Sequence, residues 1–379
     1  MSGLTFLEVT GLTSRKYGGG ERAFMALASQ ARERGHQLHI LWEGAPTSDA
    51  VVRDLAAAGA VSHVYKSAGR PLKTLVHITQ LIRELGVDVV HAHYQPAMTS
   101  GLLAARLTGR PSLLTIHQIL DAHPTYGRLR KRSKALAKAR VQLATVTEAV
   151  SLAARRAYTD RGLADERMVL HYMGIEPPKA ARTRAAVRKA LGIGSKRIVV
   201  ACTAFHGDVK GVDILLRAFA KAQEQRPELF LLQIGGDLQQ HRTDALHALA
   251  TELGVDDDML WAGFRDDVPD LLGAADLYVQ PSRNEGLGLA LAEAACSKLA
   301  CIGSNVGGIP EVITHGETGL LVPSEDVEAL TQALLQLAND KPLRKRLATA
   351  AQKSGLERFD LHRQTAIQLD RYEALAHGR

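Results

Sequence analysis

Short apolar runs rich in valine, isoleucine and leucine alternate along this chain with longer segments of helical period, and the alternation starts twice. Runs of this kind belong to strands buried on both faces, and strands separated by helices pair in parallel, so the pattern predicts helix-covered parallel sheets. The first set of expected strands is 4–9, 37–42, 87–92, 112–116 and 142–146; the second is 197–203, 229–234, 259–262, 277–279 and 300–302. The pattern breaks at 172–180, which contains Gly174, Pro177 and Pro178. The expected organisation is therefore α/β: a Rossmann-like domain over 1–174, a second over 175–360, and a Leu/Ala-rich amphipathic helix at 361–379 that packs back on the first. A chain of 379 residues holds two cores of ordinary size.

Hydrophobic residues make up 46% and charged residues 23%, close to the globular average. No run of about 18 apolar residues occurs and the start lacks a leader pattern, so the expected location is the cytosol. Cys202, Cys296 and Cys301 sit among apolar or small residues without metal-ligand spacing and read as buried thiols. The net charge of +7 is uneven, with 23 Lys+Arg against 13 Asp+Glu up to residue 170 and 24 against 27 beyond it. Much of the excess lies in Arg128 to Arg140, which reads either as a solvated helix face or as a peripheral contact with an anionic membrane face or an anionic acceptor. Nucleic acid is not an expected partner, because aromatic residues are 4% of the chain and no binding motif accompanies the charge.

The most informative segment runs from Gln280 to Glu311, with Pro-Ser-Arg-Asn-Glu-Gly-Leu-Gly-Leu-Ala-Leu-Ala-Glu-Ala followed by Val-Gly-Gly-Ile-Pro-Glu. It opens at the carboxyl end of an expected strand, where open α/β sheets bind ligands. Gly286 and Gly288 flank Leu287 and allow close backbone approach, and a helix starting near Leu289 aims its first N–H groups at an anion such as a diphosphate. Glu285 in the loop and Glu293 in the helix are separated by seven residues, a spacing suited to accepting hydroxyls at two ends of one elongated ligand rather than to an acid/base pair.

Here the chain resembles the retaining glycosyltransferases of family 4 with the GT-B fold, whose signature is Glu, seven residues, Glu in this setting. The likeness continues in Lys210-Gly211-Val212-Asp213 after the first strand of the second domain, in Gly263-Phe264-Arg265-Asp266-Asp267, and in Gly316 to Val322. The first domain carries Tyr-Gly-Gly-Gly-Glu-Arg at Tyr17 to Arg22, which includes Gly19, and Arg34-Gly35-His36 before the second strand; His117 matches the family's active-site histidine.

The resemblance implies two Rossmann-like domains facing a central cleft, whose closure excludes water, and no metal or other cofactor. Its donor is a nucleoside diphosphate sugar, by family frequency a UDP-hexose, and its acceptor is a saccharide, a lipid-linked sugar or a small molecule, in surface polysaccharide or glycoconjugate synthesis. Glu293 is implied to hold the ribose, Glu285 the donor sugar hydroxyls, Lys210 the diphosphate, and the backbone near Phe264 and Arg265 the base. Gly19 is implied to lie near the donor phosphate and His117 beside the donor sugar. A lysine neutralises charge on the departing diphosphate without a metal. No protein nucleophile is nominated.

Departures from the family pattern are equally specific. An arginine usual five or six residues before the lysine is replaced by Ala204 and Phe205, with His206 nearby, and Arg283 is the expected substitute. Lys298-Leu299-Ala300 replaces a common Gly-x-Pro turn, and Met173 stands where asparagine often precedes glycine. Other signals point elsewhere: Gly18 to Ala23 fits a dinucleotide fingerprint but stands too far from its strand, Asp256-Asp257-Asp258 reads as a solvated turn or cap, and His91, His93 and His117 have metal-compatible spacing but read as buried or cleft-lining histidines. The alternative functions are a nucleotide-sugar epimerase of the same fold, which needs no acceptor, and a non-catalytic sugar-nucleotide-binding protein.

Overall fold

The computed structural model describes residues 3–378 except 12, 14–17, 66–69, 96, 118, 120–130, 165–166, 178 and 237–239; the side chains of 131–133 and 240–241 are also not described. The chain divides into two compact units, Met1–Glu176 with Leu361–Arg379, and Pro177–Asp360.

Among the described residues the first unit contains β1 (Thr5–Val9), β2 (Gln37–Trp42), β3 (Ala60–Val64), β4 (Val89–Ala92), β5 (Ser112–Ile116), β6 (Val146–Ala149) and β7 (Met168–Leu170), all parallel in the order β3-β2-β1-β4-β5-β6-β7. The second contains β8 (Ile198–Thr203), β9 (Leu229–Ile234), β10 (Met259–Trp261), β11 (Leu277–Gln280), β12 (Ala300–Ser304) and β13 (Leu320–Val322), parallel in the order β10-β9-β8-β11-β12-β13. These are helix-flanked parallel sheets of Rossmann type. Each winds outward from its first strand and then reverses, so the strand order switches between β1 and β4 and between β8 and β11. In open α/β sheets, ligands bind at the carboxyl ends of the strands at such a switch point.

Burial explains why the central strands are legible. Val199, Val200, Ala201 and Cys202 of β8 are wholly buried, as are Leu277, Tyr278 and Val279 of β11. The expected strand at 142–146 is displaced: the helix Lys131–Leu143 consumes its first residues and β6 begins at Val146. Edge strand β3 is largely exposed, while β7 and β13 have only three residues each, so none carries an apolar run long enough to stand out.

The terminal helix Leu361–Ala376 is part of the first unit's core. Leu369 and Tyr372 are wholly buried in a cluster with Phe6, Leu27 and Trp42, and the Tyr372 and Phe6 rings lie 4.9 Å apart. Gln30 Nε2 donates to the His362 carbonyl at 3.1 Å, and Arg34 bridges Asp370 and Glu373. The three cysteines are buried free thiols, and burial pushes each thiol upward, that of Cys296 to about 11. Among the described residues no helix is long and apolar enough to cross a membrane.

Candidate active site

In the second unit, the segments leaving β8 and β11 are tied together at the switch point. After β8 the chain makes a short 3-10 turn, Asp208–Lys210, and enters the helix Val212–Gln225 through Gly211. Gly211 has φ +65°, and a Cβ there would stand 2.1 Å from the Pro281 carbonyl oxygen. Both the left-handed backbone and the lack of space require glycine, which is what lets the Lys210 turn lie against the end of β11. The Arg283 N–H completes the seam by donating to the Val209 carbonyl at 2.8 Å.

Lys210 and Glu285 meet across this seam. Lys210 Nζ donates to the two Glu285 oxygens at 3.0 and 2.8 Å and lies 5.3 Å from the Phe205 ring centre. The two side chains retain 18% and 12% of their exposure, so a ligand reaching them enters a largely desolvated pair. Gly308 supports the loop from the other side: its N–H donates to the Glu285 carbonyl at 3.1 Å, and a Cβ at Gly308 would come within 2.4 Å of the Gly286 carbonyl oxygen. Leu287 and Gly288 are buried beneath, leaving the Gly286 backbone partly exposed.

Gly288, at φ +94°, starts the helix Leu289–Cys296, whose N-terminus has no side-chain cap. The N–H groups of Leu289, Ala290 and Leu291 have no partner within the helix and carry the positive end of its dipole. Glu293 lies in the second turn of this helix and is partly buried. At the end of β10, Gly235 N–H donates to the Gly263 carbonyl at 2.8 Å. Phe264 beside it is 50% exposed, with ring atoms 3.1 and 3.3 Å from where a Cβ on Gly236 would stand. The Arg265 guanidinium is bidentate on Asp267 at 2.7 Å, so near the sheet end this segment offers chiefly backbone.

Arg283, the expected substitute for the replaced arginine, and His206 both have internal partners. Arg283 forks onto the two Asp213 oxygens at 2.8 and 2.7 Å, reaches Glu325 at 3.0 Å and donates to the Asp208 carbonyl at 2.7 Å. It clamps the Lys210 turn, and Asp213 is its principal anchor. Buried His206 lies 2.7 Å from Thr243 Oγ1 through Nδ1 and 3.2 Å from Gln233 Oε1 through Nε2. Lys298, at the Gly-x-Pro departure, has φ +64°, a left-handed conformation that costs a side-chain-bearing residue about 1–2 kcal/mol. Asp256–Asp258 forms a 3-10 turn, with Asp258 paired to Arg197.

In the first unit, the helix Gly19–Glu33 follows Gly18, whose N–H donates to the Glu21 carboxylate at 3.0 Å. A Cβ on Gly20 would meet nothing within 4 Å, so the bare backbone there serves no internal packing need among the described residues. Tyr17 lies outside the described residues.

His117 directly follows β5 and stacks on Tyr94 with centroids 4.2 Å apart. Its Nε2 is 3.2 Å from His93 Nδ1, and His93 Nε2 is 2.5 Å from Glu8 Oε2. Alongside, His91 Nδ1 is 2.5 Å from the Tyr372 hydroxyl and its Nε2 is 2.6 Å from Thr115 Oγ1; that hydroxyl donates to Glu148 at 3.1 Å. Tyr372 also donates to Glu8, and Arg371 to Glu148. One potential ligand atom from each of Glu8, His91 and His93 falls within 4.8 Å of the others. These groups face one another and their neighbours as hydrogen-bond partners.

Burial pushes the Glu8 carboxyl up, but the attraction and hydrogen bonds of His91 and His93 outweigh it and hold Glu8 well below the carboxylate range. Burial pulls His91 down, and the opposing field and hydrogen bond of Glu8, with Glu148 behind, raise it overall. His93 and His117 are lowered, first by burial and then by the neighbouring imidazoles.

Comparison with known proteins agrees with both halves of the chain. The family model "Glycosyltransferase Family 4" matches residues 17–178, and "Glycosyl transferases group 1" matches residues 183–354. A D-inositol 3-phosphate glycosyltransferase of Kribbella flavida is 30% identical, with 72% of this chain and 68% of that protein covered. The N-acetyl-alpha-D-glucosaminyl L-malate synthase of Bacillus anthracis is 27% identical over 88% of each chain. Among solved structures, Anabaena HepE in complex with UDP and glucose superimposes with a TM-score of 0.83 at 23% identity, covering 97% of this chain and 99% of that one, a likeness of fold.

Proposed function

The chain belongs to the family 4 glycosyltransferases of GT-B fold, enzymes that move a sugar from a nucleoside diphosphate to an acceptor, and from that premise we propose a retaining hexosyltransferase using a uridine diphosphate sugar. The observation that carries this reading is the Lys210–Glu285 pair at the switch point beside the uncapped helix N-terminus at Leu289. A diphosphate entering there takes Lys210 as its counter-ion and receives the helix N–H groups. Glu285, released from the lysine, becomes an acceptor for hydroxyls of the donor sugar. Glu293 holds the ribose, and backbone near Phe264 and Arg265 receives the base. As the glycosidic bond breaks, negative charge grows on the leaving diphosphate, where Lys210 stabilises it and the phosphate itself takes the acceptor's proton. By the same family likeness, Gly19 and His117 of the first unit are assigned to the substrates. Uridine is supported by the UDP in the HepE complex.

A thermal-unfolding screen of nucleotide sugars tests this reading, because a ligand that binds only the folded state raises Tm. UDP-hexoses are expected to raise it, and NMR of the product is expected to show retained anomeric configuration; inversion, or no response to any nucleotide sugar, contradicts the reading.

The acceptor is proposed to be anionic or held at an anionic membrane face, placing the enzyme in the cytoplasm as a peripheral protein. Two features support this: the positive excess of the first 170 residues, 23 Lys+Arg against 13 Asp+Glu, and the anions named in both relatives, L-malate and D-inositol 3-phosphate. Of the basic stretch, 128–130 lies outside the described residues; Lys134 and Lys138 are exposed, whereas Arg140 turns inward to Thr99 at 2.7 Å. Vesicles containing anionic lipid are expected to retain the protein at low salt and release it at high salt. Equal recovery with neutral vesicles would exclude the membrane face.

A further inference from the structure

We propose that Glu8 and His93 are positioning residues that fix the tautomer of His117, making its Nδ1 a hydrogen-bond acceptor for a substrate hydroxyl. The proposal rests on the reading of His117 as a substrate-facing residue and adds how its chemistry is set. The protons of these groups are fixed along one line of contacts in the first unit.

Glu8 and Glu148 are wholly buried carboxylates, and Arg371 supplies one positive charge through Glu148. His91 is the group placed to supply the second, because it touches the Glu8 side and the Glu148 side at once: Nδ1 is 3.3 Å from Glu8 Oε2 and Nε2 is 3.8 Å from Glu148 Oε2. As an imidazolium it donates from both nitrogens, to Tyr372 and to Thr115, while those two hydroxyls pass their own protons to Glu8 and Glu148. Every proton on this side then has one acceptor, and Glu8 remains a carboxylate.

A carboxylate offers only lone pairs. With Glu8 Oε2 2.5 Å away, His93 Nε2 must carry the hydrogen. Neutral His93 then has a bare Nδ1, and the nitrogen 3.2 Å from it, His117 Nε2, must be the donor. Neutral His117 therefore keeps its lone pair on Nδ1. The reverse arrangement sets two lone pairs against each other at 2.5 Å between Glu8 and His93. Stacking of His117 on Tyr94 at 4.2 Å holds the ring plane while the relay holds its protons. A hydroxyl meeting Nδ1 is bound as a donor, which leaves its oxygen lone pairs available to other groups.

Selective ¹⁵N labelling of histidine gives a readout that structural support alone does not supply. In the wild-type protein, His117 is expected to show a protonated Nε2 and an unprotonated Nδ1. His93→Gln preserves the polarity, since its amide N–H₂ donates to Glu8 and its carbonyl accepts from His117; it is expected to retain the tautomer and keep kcat within about threefold. His93→Phe removes the relay; the tautomers are expected to mix, and kcat to fall about tenfold or more, the worth of one oriented hydrogen bond. A wild-type His117 protonated on Nδ1, or an unchanged tautomer in His93→Phe, overturns the proposal. His117→Ala, assayed in parallel, separates the two readings: unchanged transfer there defeats the substrate-facing role of His117, whereas the fixing of its tautomer is judged by the spectrum.

Discussion

Replacing Lys210 with alanine is expected to lower kcat by about 10²- to 10³-fold, with a smaller rise in donor KM, while thermal unfolding stays cooperative. The size follows from where the charge is needed. Ground-state diphosphate is also held by the helix N-terminus at Leu289, so binding survives in part, but charge develops on the leaving phosphate only as the glycosidic bond breaks. Glu285→Gln keeps the shape of the loop and removes the charge that accepts sugar hydroxyls. It is expected to lower kcat as well and to impair sugar transfer more than affinity for the bare nucleotide. Steady-state kinetics with a fixed acceptor checks both variants; Lys210→Ala within threefold of wild-type kcat would remove the lysine from the mechanism.

Deleting the terminal helix is expected to prevent the first unit from folding. The chain ending at Asp360 loses two wholly buried side chains, Leu369 and Tyr372, each worth about 1.5–3 kcal/mol in burial. It also strips Arg371 from Glu148 and the Tyr372 hydroxyl from Glu8, and leaving a buried ion pair half-made costs about 3–5 kcal/mol. Together these losses rival the roughly 5–15 kcal/mol that stabilises a whole domain. Arg371→Ala isolates the electrostatic part and is expected to destabilise the unit by about 3–5 kcal/mol. Limited proteolysis with circular dichroism of the truncated chain provides the check. A protease-resistant first unit in the truncated chain would show that the helix is an accessory.

What the sequence reveals depends on how local each determinant is. Central strands such as β8 and β11 announce themselves through runs of four wholly or almost wholly buried residues, and the Gly211 and Gly288 positions announce the turns because their left-handed backbone favours glycine. The short strands β7 and β13 and the exposed edge β3 lack that signal. The start of β6 is obscured because apolar Val141 and Leu143 belong to the preceding helix, which runs unbroken to Leu143. Glu285, Glu293 and Lys210 are recognisable from their likeness to the family's motifs. The task of Arg283 is not, since its anchor Asp213 lies 70 residues earlier in the chain. The Glu8–His93 contact spans 85 residues and Glu8–Tyr372 spans 364, so no window of sequence brings the relay to view.

Isothermal titration of UDP into the wild-type protein and into Lys210→Ala and Glu293→Ala tests the assignment of the nucleotide to the second unit most directly. Saturable binding by the wild type is expected, weakened about tenfold or more in each variant, since each loses a charged hydrogen-bonding partner of the ligand. Affinity that is equal in all three proteins, or no binding of UDP by the wild type, contradicts the assignment.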